Sequence, residues 1–201
     1  SCDNFFTVSD EEDNYECETY DIEGIQKTLG PTTYTDWEYF SILNDSTIHP
    51  LEITEQEANS SYDWDIALLR NHFRTNSGLS GPGDGGAAMI DEEWTCSSFN
   101  QLTNLPDNII FEEDVMLDNI YQPWAHDDIE EAYTEAPGSI VLENWGWFNL
   151  DDNYTMNITN KVLFIKLTNN RFLKIWLYDY YDDNNLSGHV SFYYDVINSS
   201  E

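Results

Sequence analysis

The chain has 201 residues, of which 40% are apolar and 15% aromatic. A chain of this length and composition is large and apolar enough to form one domain with a buried core, which excludes an intrinsically disordered protein. Its 39 acidic side chains against 7 basic ones give a net charge of −32, which disfavours binding to nucleic acid and to anionic membrane surfaces.

The first 30 residues are predicted to be a flexible acidic tether in front of a single β domain that covers residues 31–201. Nine of the first 23 residues are acidic, which favours a solvated segment. The chain opens Ser1-Cys2-Asp3, and a lipoprotein signal peptidase cuts just before such a cysteine. We therefore expect Cys2 to carry a lipid, with a free thiol as the alternative.

The chain contains three cysteines, and an odd number in an exported protein requires an explanation. If Cys2 carries a lipid, Cys17 and Cys96 remain and can pair as a disulfide that closes a long loop. Two free thiols are the alternative, because the sequence alone does not give the distance between them.

The first half of the domain is predicted to be mostly β. Residues 34–43 are predicted to be a strand, residues 44–47 a turn and residues 52–60 a short polar helix. Residues 62–75 then alternate like one strand. One face of that strand is expected to carry, in order, Trp64, Ile66, Leu68, Arg70, His72 and Arg74.

Residues 78–86 are predicted to be a tailored loop, because they hold five of the chain's ten glycines around Pro82. Glycine at this density is typical of a backbone that adopts positive φ or approaches another group closely. The loop matches G-x-G-x-x-G, but no βαβ repeat surrounds it and Asp84 would place a carboxylate in a phosphate cradle. A dinucleotide site is therefore excluded.

Residues 91–140 are irregular in pattern, yet they contain too many large apolar side chains for disorder. These side chains include Trp94, Phe99, Phe111, Met116, Tyr121, Trp124 and Tyr133. We expect structured loops that cover a site.

From residue 162 the pattern is β again. Residues 162–168 and 171–178 flank Asn169-Asn170, which predicts a hairpin, and residues 189–197 predict a last strand. A three-residue loop would align Leu163, Ile165 and Leu167 with Leu173, Ile175 and Leu177 on one face. The whole pattern predicts an all-β, predominantly antiparallel fold with long structured loops and little helix.

Six of the seven basic residues fall within residues 62–75 and 161–178. If these segments lie in one sheet, the basic side chains form a local positive spot on a negative protein. The alternative is that each one is solvated and pairs with nearby acids.

Three segments together resemble the HmuY-like proteins, which are surface lipoproteins of the Bacteroidetes. The first runs Asp63-Trp64-Asp65-Ile66-Ala67, then Arg74-Thr75-Asn76-Ser77-Gly78, then Gly-Pro-Gly-Asp-Gly-Gly-Ala. The second runs Arg171-Phe-Leu-Lys-Ile-Trp-Leu-Tyr-Asp-Tyr-Tyr181 and Gly188-His-Val-Ser-Phe-Tyr193, and the third Asp36-Trp-Glu-Tyr-Phe-Ser41. The resemblance spans most of residues 36–194 and implies an all-β protein that binds haem.

The resemblance also implies where haem binds, because the two axial ligands of the family come from two loop regions. Met89, after the glycine-rich loop, and Met116 occupy these regions here and are the expected ligands. Two thioethers hold ferrous iron better than ferric iron. Methionines that fill gaps in a core are the alternative. The third methionine, Met156, lies in a polar segment and is expected to have no such role.

Other residues are further candidates for the haem site. His126 lies ten residues after Met116 and is an alternative ligand, as is His72. Arg70 and Arg74 are candidates for contacts with the haem propionates. For each histidine a structural role is the alternative.

No nucleophile, zinc-protease or P-loop motif is present, so we expect a binding protein and not an enzyme. The expected function is capture of haem at the outer-membrane surface and delivery to a TonB-dependent transporter. One alternative is an accessory lipoprotein that docks on a transporter or a glycan through exposed aromatics. Another is a calcium-dependent adhesion domain, although the half loop that starts at Asp183 has Tyr194 where a calcium loop needs glutamate.

Overall fold

The computed structural model describes residue 17 and residues 19–89, 94–121 and 134–198. The strands within these residues are β1 (Ile25–Leu29), β2 (Glu38–Ile42), β3 (Ile48–Leu51), β4 (Ile66–Leu69), β5 (His72–Thr75), β6 (Gly86–Ala88), β7 (Val115–Leu117), β8 (Ala136–Gly138), β9 (Gly146–Asn149), β10 (Thr155–Ile158), β11 (Val162–Lys166), β12 (Phe172–Tyr181) and β13 (Ser187–Ile197). The helical segments among the same described residues are α1 (Glu55–Ala58) and three short 3-10 helices (Thr19–Asp21, Cys96–Gln101 and Leu142–Trp145). All the paired strands are antiparallel, which confirms the predicted all-β fold with little helix.

The largest sheet has five strands in the order β1-β13-β12-β11-β6. At its centre β11 and β12 form a hairpin whose register pairs Leu163 with Ile175 and Ile165 with Leu173. Because alternate residues of a strand point to the same face, these side chains enter one core, as the alternation predicted. The hairpin turn contains Asn170 at φ +63, a conformation that asparagine tolerates.

A second sheet has four strands in the order β3-β2-β4-β5. One of its faces adds Ile66, Leu68 and Phe73 to the core of the five-stranded sheet. Its other face belongs to a separate cluster that contains Trp64 and Ala58 of α1. The Trp64 indole Nε1 donates to the Ala58 carbonyl at 2.9 Å, which fixes α1 against this sheet.

The predicted single strand over residues 62–75 is wrong, because β4 and β5 are the two arms of a hairpin. The turn between them contains Arg70 at φ +53. The reversal changes which side chains share a face. Arg74 pairs with Ala67 and therefore faces the second cluster, whereas Ile66 faces the main core.

The sheet begins earlier in the chain than the expected domain boundary. β1 lies within residues 1–30, which were expected to form a tether, and it pairs along its whole length with β13. Before it, Cys17 and Cys96 are paired with 5.9 Å between their Cα atoms. Cys2 lies outside the described residues. In the part of the chain that is described, no helix is both long and apolar enough to cross a membrane.

Candidate functional site

The glycine-rich loop folds around the side chain of Asn76, which directly follows β5. The Asn76 amide donates to the carbonyls of Ser61 at 3.0 Å and Trp64 at 2.8 Å, and its Oδ1 accepts from the Gly83 amide at 2.9 Å. A Cβ on Gly83 would collide with the Asn76 carbonyl oxygen. The glycine-rich loop is therefore held in one conformation by hydrogen bonds to the Asn76 side chain.

A buried carboxylate, Asp114, holds the same loop against the segment that leads into β7. It accepts hydrogen bonds from Thr75 N at 2.9 Å, Thr75 Oγ1 at 2.6 Å and Ser80 Oγ at 2.6 Å. Gly78 has φ +51, and a Cβ there would collide with the Asp114 carbonyl oxygen. Burial raises the pKa of Asp114 to about 6, although the hydrogen bonds from Ser80 and Thr75 act to lower it.

The two methionines expected to bind haem lie on different elements. Met89 follows β6 and packs, partly buried, against the main core, whereas Met116 lies in β7 and is 50% exposed. An antiparallel bridge joins Ala87 to Glu112, with N–O distances of 3.0 and 2.8 Å. Antiparallel segments run in opposite directions, so the chain continues from this bridge to Met89 on one side and to Met116 on the other. If both stretches were fully extended, the Cα atoms of the two methionines would be up to about 20 Å apart.

Arg74 is enclosed by the fold, so the expected contact with a haem propionate requires correction. The residue is 1% exposed, and its guanidinium carbon lies 3.9 Å from the centre of the Trp37 ring. Its Nε donates to the Pro137 carbonyl at 2.8 Å, and its Nη1 to Glu55 Oε1 at 2.9 Å. Glu55 thus neutralises the charge, and the packing leaves no surface for a ligand.

His72 is also occupied within the fold. Its Nδ1 lies 3.0 Å from Glu143 Oε1, and its Nε2 is buried without a hydrogen-bond partner among the described residues. Because Glu143 occupies one ring nitrogen and the other is buried, the His72 ring is not accessible to haem iron. The structure therefore does not support His72 as an axial ligand. His126, the other alternative ligand, lies outside the residues that the structure describes.

Three further basic side chains, all within residues 161–178, bind to other parts of the fold. Lys174 Nζ donates to the Phe99 carbonyl at 2.6 Å, and Arg171 Nη1 donates at 2.8 Å to a carbonyl just after β2. Lys166 pairs with Asp84 at 3.1 Å. Each of these side chains binds a different part of the protein. They therefore do not form the local positive spot that was the first of the two expectations for the basic residues.

Arg70 differs from the other arginines because it lines an open cavity of about 620 Å³. The cavity lies between the β4–β5 turn, the β9–β10 hairpin and the adjoining ends of β12 and β13. Arg70 donates to Thr32 O at 2.8 Å and to Ser187 Oγ at 2.7 Å, and its guanidinium carbon lies 4.2 Å from the centre of the Tyr34 ring. Neither of the methionines expected to bind haem lines this cavity.

Sequence reasoning identified Arg70 but missed the aromatic residues around it. Tyr180 lines the cavity from β12, and burial raises the pKa of Tyr180 to about 12, although nearby Arg70 acts to lower it. Its hydroxyl is therefore neutral and available as a hydrogen-bond donor at physiological pH. The signal that could have pointed to the cavity is Asn153-Tyr154, where a large aromatic residue occupies a turn position suited to glycine.

The comparison with known families decides the relationship. The family model described as HmuY protein matches residues 33–194. The chain belongs to the HmuY family. No match was found among curated protein sequences.

Three solved structures share the fold of this HmuY-family protein. A protein assigned as a HmuY-like heme binding protein, from Bacteroides vulgatus ATCC 8482, has 20% identity over 84% of this chain and 89% of that chain, with a TM-score of 0.61. A protein assigned as a lipoprotein, from Bacteroides fragilis NCTC 9343, has 20% identity over 84% and 86%, with a TM-score of 0.61. The apo HmuY analogue of Tannerella forsythia has 22% identity over 87% and 95%, with a TM-score of 0.58.

Proposed function

We propose that this HmuY-family protein is a binding protein that captures haem at the cell surface and passes it to a TonB-dependent outer-membrane transporter. The match of the family model over residues 33–194 carries the proposal. It is supported by the relatives, since the Bacteroides vulgatus protein is described as heme binding and the Bacteroides fragilis protein as a lipoprotein. A lipid on Cys2 would hold the protein at the outer membrane.

Met89 and Met116 are the proposed axial ligands. Both belong to segments beside the glycine-rich loop, and neither side chain is enclosed as Arg74 and His72 are. A thioether is a soft ligand, so a pair of them would favour ferrous iron. His126 is the alternative partner for either methionine.

We propose that ligation of one iron by both methionines is accompanied by a change at the bridge between Ala87 and Glu112, because the two bridged segments run in opposite directions. The change would release the two backbone hydrogen bonds of the bridge. If haem were held by Met116 and by a residue outside those that the structure describes, the two hydrogen bonds of the bridge would stay intact. Hydrogen exchange of the Ala87 and Glu112 amides, with and without haem, separates these two arrangements.

Titration of haemin into the full chain, read by absorbance in the oxidised and dithionite-reduced states, tests the proposal. We expect the reduced protein to give a sharp low-spin haem spectrum. Met89→Leu and Met116→Leu keep the side-chain volume and remove the thioether, so each should weaken haem binding roughly tenfold or more.

Met156→Leu is the matched control. Although Met156 lies in a polar segment, its side chain is 6% exposed in β10 and packs in the main core. Alanine there would leave a cavity that costs about 2–5 kcal/mol of stability, whereas leucine keeps the packing and should not change haem binding.

Two outcomes would contradict different parts of the proposal. If the wild type binds no haem in either redox state, the haem function is rejected, and docking on a transporter or a glycan replaces it. If the Met89→Leu and Met116→Leu variants bind haem as well as the wild type does, the function stands and the ligands are rejected. His126 is then the next residue to replace.

A further inference from the structure

The cavity beside Arg70 has the composition of a ligand site that the proposed haem site does not explain. Its volume of about 620 Å³ falls within the range of pockets that enclose small organic molecules. Five of its lining residues are aromatic: Tyr34, Phe148, Tyr154, Tyr180 and Tyr181. Tyr180 packs edge-on against Phe148 and Tyr181, with ring centres 5.5 and 5.4 Å apart, so the aromatic wall is held by its own contacts.

The charge of this cavity is opposite to that of the whole protein, which carries −32. Arg70 is the one cation among the described lining residues, and none of them is acidic. Its hydrogen bonds go to neutral partners, Thr32 O, Ser187 Oγ and the Tyr180 side chain, and none of the ion pairs between described residues includes it. A guanidinium has five N–H donors, so donors remain for an anion.

Two large residues of the cavity hold a backbone conformation that favours glycine. Arg70 has φ +53 in the β4–β5 turn, and Tyr154 has φ +59 in the turn between β9 and β10. A hydrogen bond of 3.0 Å from Thr155 N to Asp152 O closes the second turn tightly. A left-handed φ costs free energy for a residue with a large side chain, and such strain concentrates at binding sites. The two strained residues belong to separate hairpins, yet they line the same cavity.

We propose that this cavity binds a small organic carboxylate with a flat, conjugated body. The carboxylate accepts hydrogen bonds from the Arg70 guanidinium, whose planar fork matches two carboxylate oxygens. The flat body packs on the aromatic wall, and the largely exposed Tyr154 covers the open side. An inorganic phosphate fits less well, because it favours several cations or backbone amides over one arginine in an aromatic wall.

This site goes beyond the proposed haem function and is separate from it. Neither Met89 nor Met116 lines the cavity, and Arg70 lies in a hairpin turn that carries neither of them. Because Arg70 was also a candidate for a contact with a haem propionate, competition by haemin distinguishes this ligand from haem, and the two functions can fail separately.

Calorimetric titration of the full chain with 2-naphthoate, and with the uncharged 2-naphthamide as a matched probe, tests the charge of the site. We expect the Kd for naphthoate to be roughly tenfold lower, or more, than the Kd for naphthamide in the wild type. Arg70→Gln removes the positive charge and should bring the ratio of the two Kd values close to unity.

Tyr154→Gly tests the aromatic wall separately from the charge. It should weaken naphthoate binding about tenfold, because one stacking surface is lost. The Tm of the variant is measured as well, because glycine relieves the left-handed strain at this position while the contacts of the Tyr154 side chain are lost. Tyr62→Gly is the matched control: Tyr62 is exposed, lies outside the cavity and should not change the affinity.

Equal binding of the two probes, or no binding of either, would overturn the proposal, and so would an unchanged affinity in the Tyr154→Gly variant. If Arg70→Gln lowers the Tm strongly, that variant does not test the site. The ratio of the two Kd values in the wild type and the affinity of the Tyr154→Gly variant then decide whether the cavity binds a carboxylate. Displacement of naphthoate by haemin would place the cavity in the haem site and overturn its assignment to a separate ligand. The expected result is that Met89→Leu weakens haem binding and leaves naphthoate binding unchanged.

Discussion

Asp114 connects two parts of the chain through one carboxylate. Hydrogen bonds from Thr75 and Ser80 fix the glycine-rich loop to the segment that leads into β7. Burial raises the pKa of Asp114 to about 6 from an ordinary 3.8, so the folded protein holds this proton more tightly than the unfolded chain does. The stabilisation from that proton is complete below a pH of about 4 and is lost as the pH rises through about 6.

Asp114→Asn should remove this dependence, because an amide has no charge to bury. The free energy of unfolding of the wild type, relative to that of Asp114→Asn, should fall by about 3 kcal/mol between a pH of about 4 and about 7. Urea denaturation at a series of pH values measures the difference. Parallel pH profiles of the two proteins would contradict the expectation.

Asp45→Asn serves as a control with the opposite sign. A hydrogen bond from the Thr47 amide lowers the pKa of the exposed Asp45. Its contribution to stability is therefore present at neutral pH and is lost as the pH falls through the lowered pKa. The two substitutions should change the pH profile in opposite directions.

At the scale of elements, strands could be predicted where an alternating pattern is followed directly by a recognisable turn sequence. The β11–β12 hairpin has continuous alternation on each side of Asn169-Asn170, a typical turn sequence, and its register is the one that a three-residue loop gives. The β4–β5 hairpin has Arg70-Asn71 at its turn, within a run of three polar residues that follows four apolar ones. Without glycine or proline, this short polar run was not recognised as a turn.

The functional site depended on contacts that the sequence pattern does not encode. Arg74 and His72 were expected at a ligand because both were placed on one face of a single predicted strand that leads into the glycine-rich loop. Trp37 and Glu55 enclose Arg74 instead, and Glu143 binds His72, and these partners lie far away in the sequence. The cavity was missed for the same reason, since several distant segments build its wall.

The 3-10 helix Cys96–Gln101 is attached to the N-terminal part of the chain by the pairing of Cys17 with Cys96, which are 79 residues apart. We expect both thiols to be oxidised, so thiol counting on unreduced, unfolded protein should find neither of them reactive. Replacing both with serine should lower the free energy of unfolding by about 2–4 kcal/mol. Counting in a Cys2→Ser background excludes the third thiol, and two reactive thiols would refute the pairing.

For the molecule as a whole, the net charge of −32 predicts a stability that depends on salt. Repulsion among the acids destabilises the compact state, and added NaCl screens it. The Tm should rise between about 0.01 M and about 1 M NaCl, because the Debye length falls from about 30 Å to about 3 Å over that range. A Tm that stays constant or falls with NaCl would show that acid–acid repulsion does not limit stability.

β13, the last of the described strands, lies inside the largest sheet, between β1 and β12. Within the described part of the chain β1 pairs with β13 alone, so its backbone partners do not exist until synthesis has reached Tyr194. A nascent polypeptide can form the local β11–β12 hairpin early, but it cannot close the sheet around a strand that the ribosome has not yet made. Closure of this sheet therefore waits until the segment that forms β13 has been made.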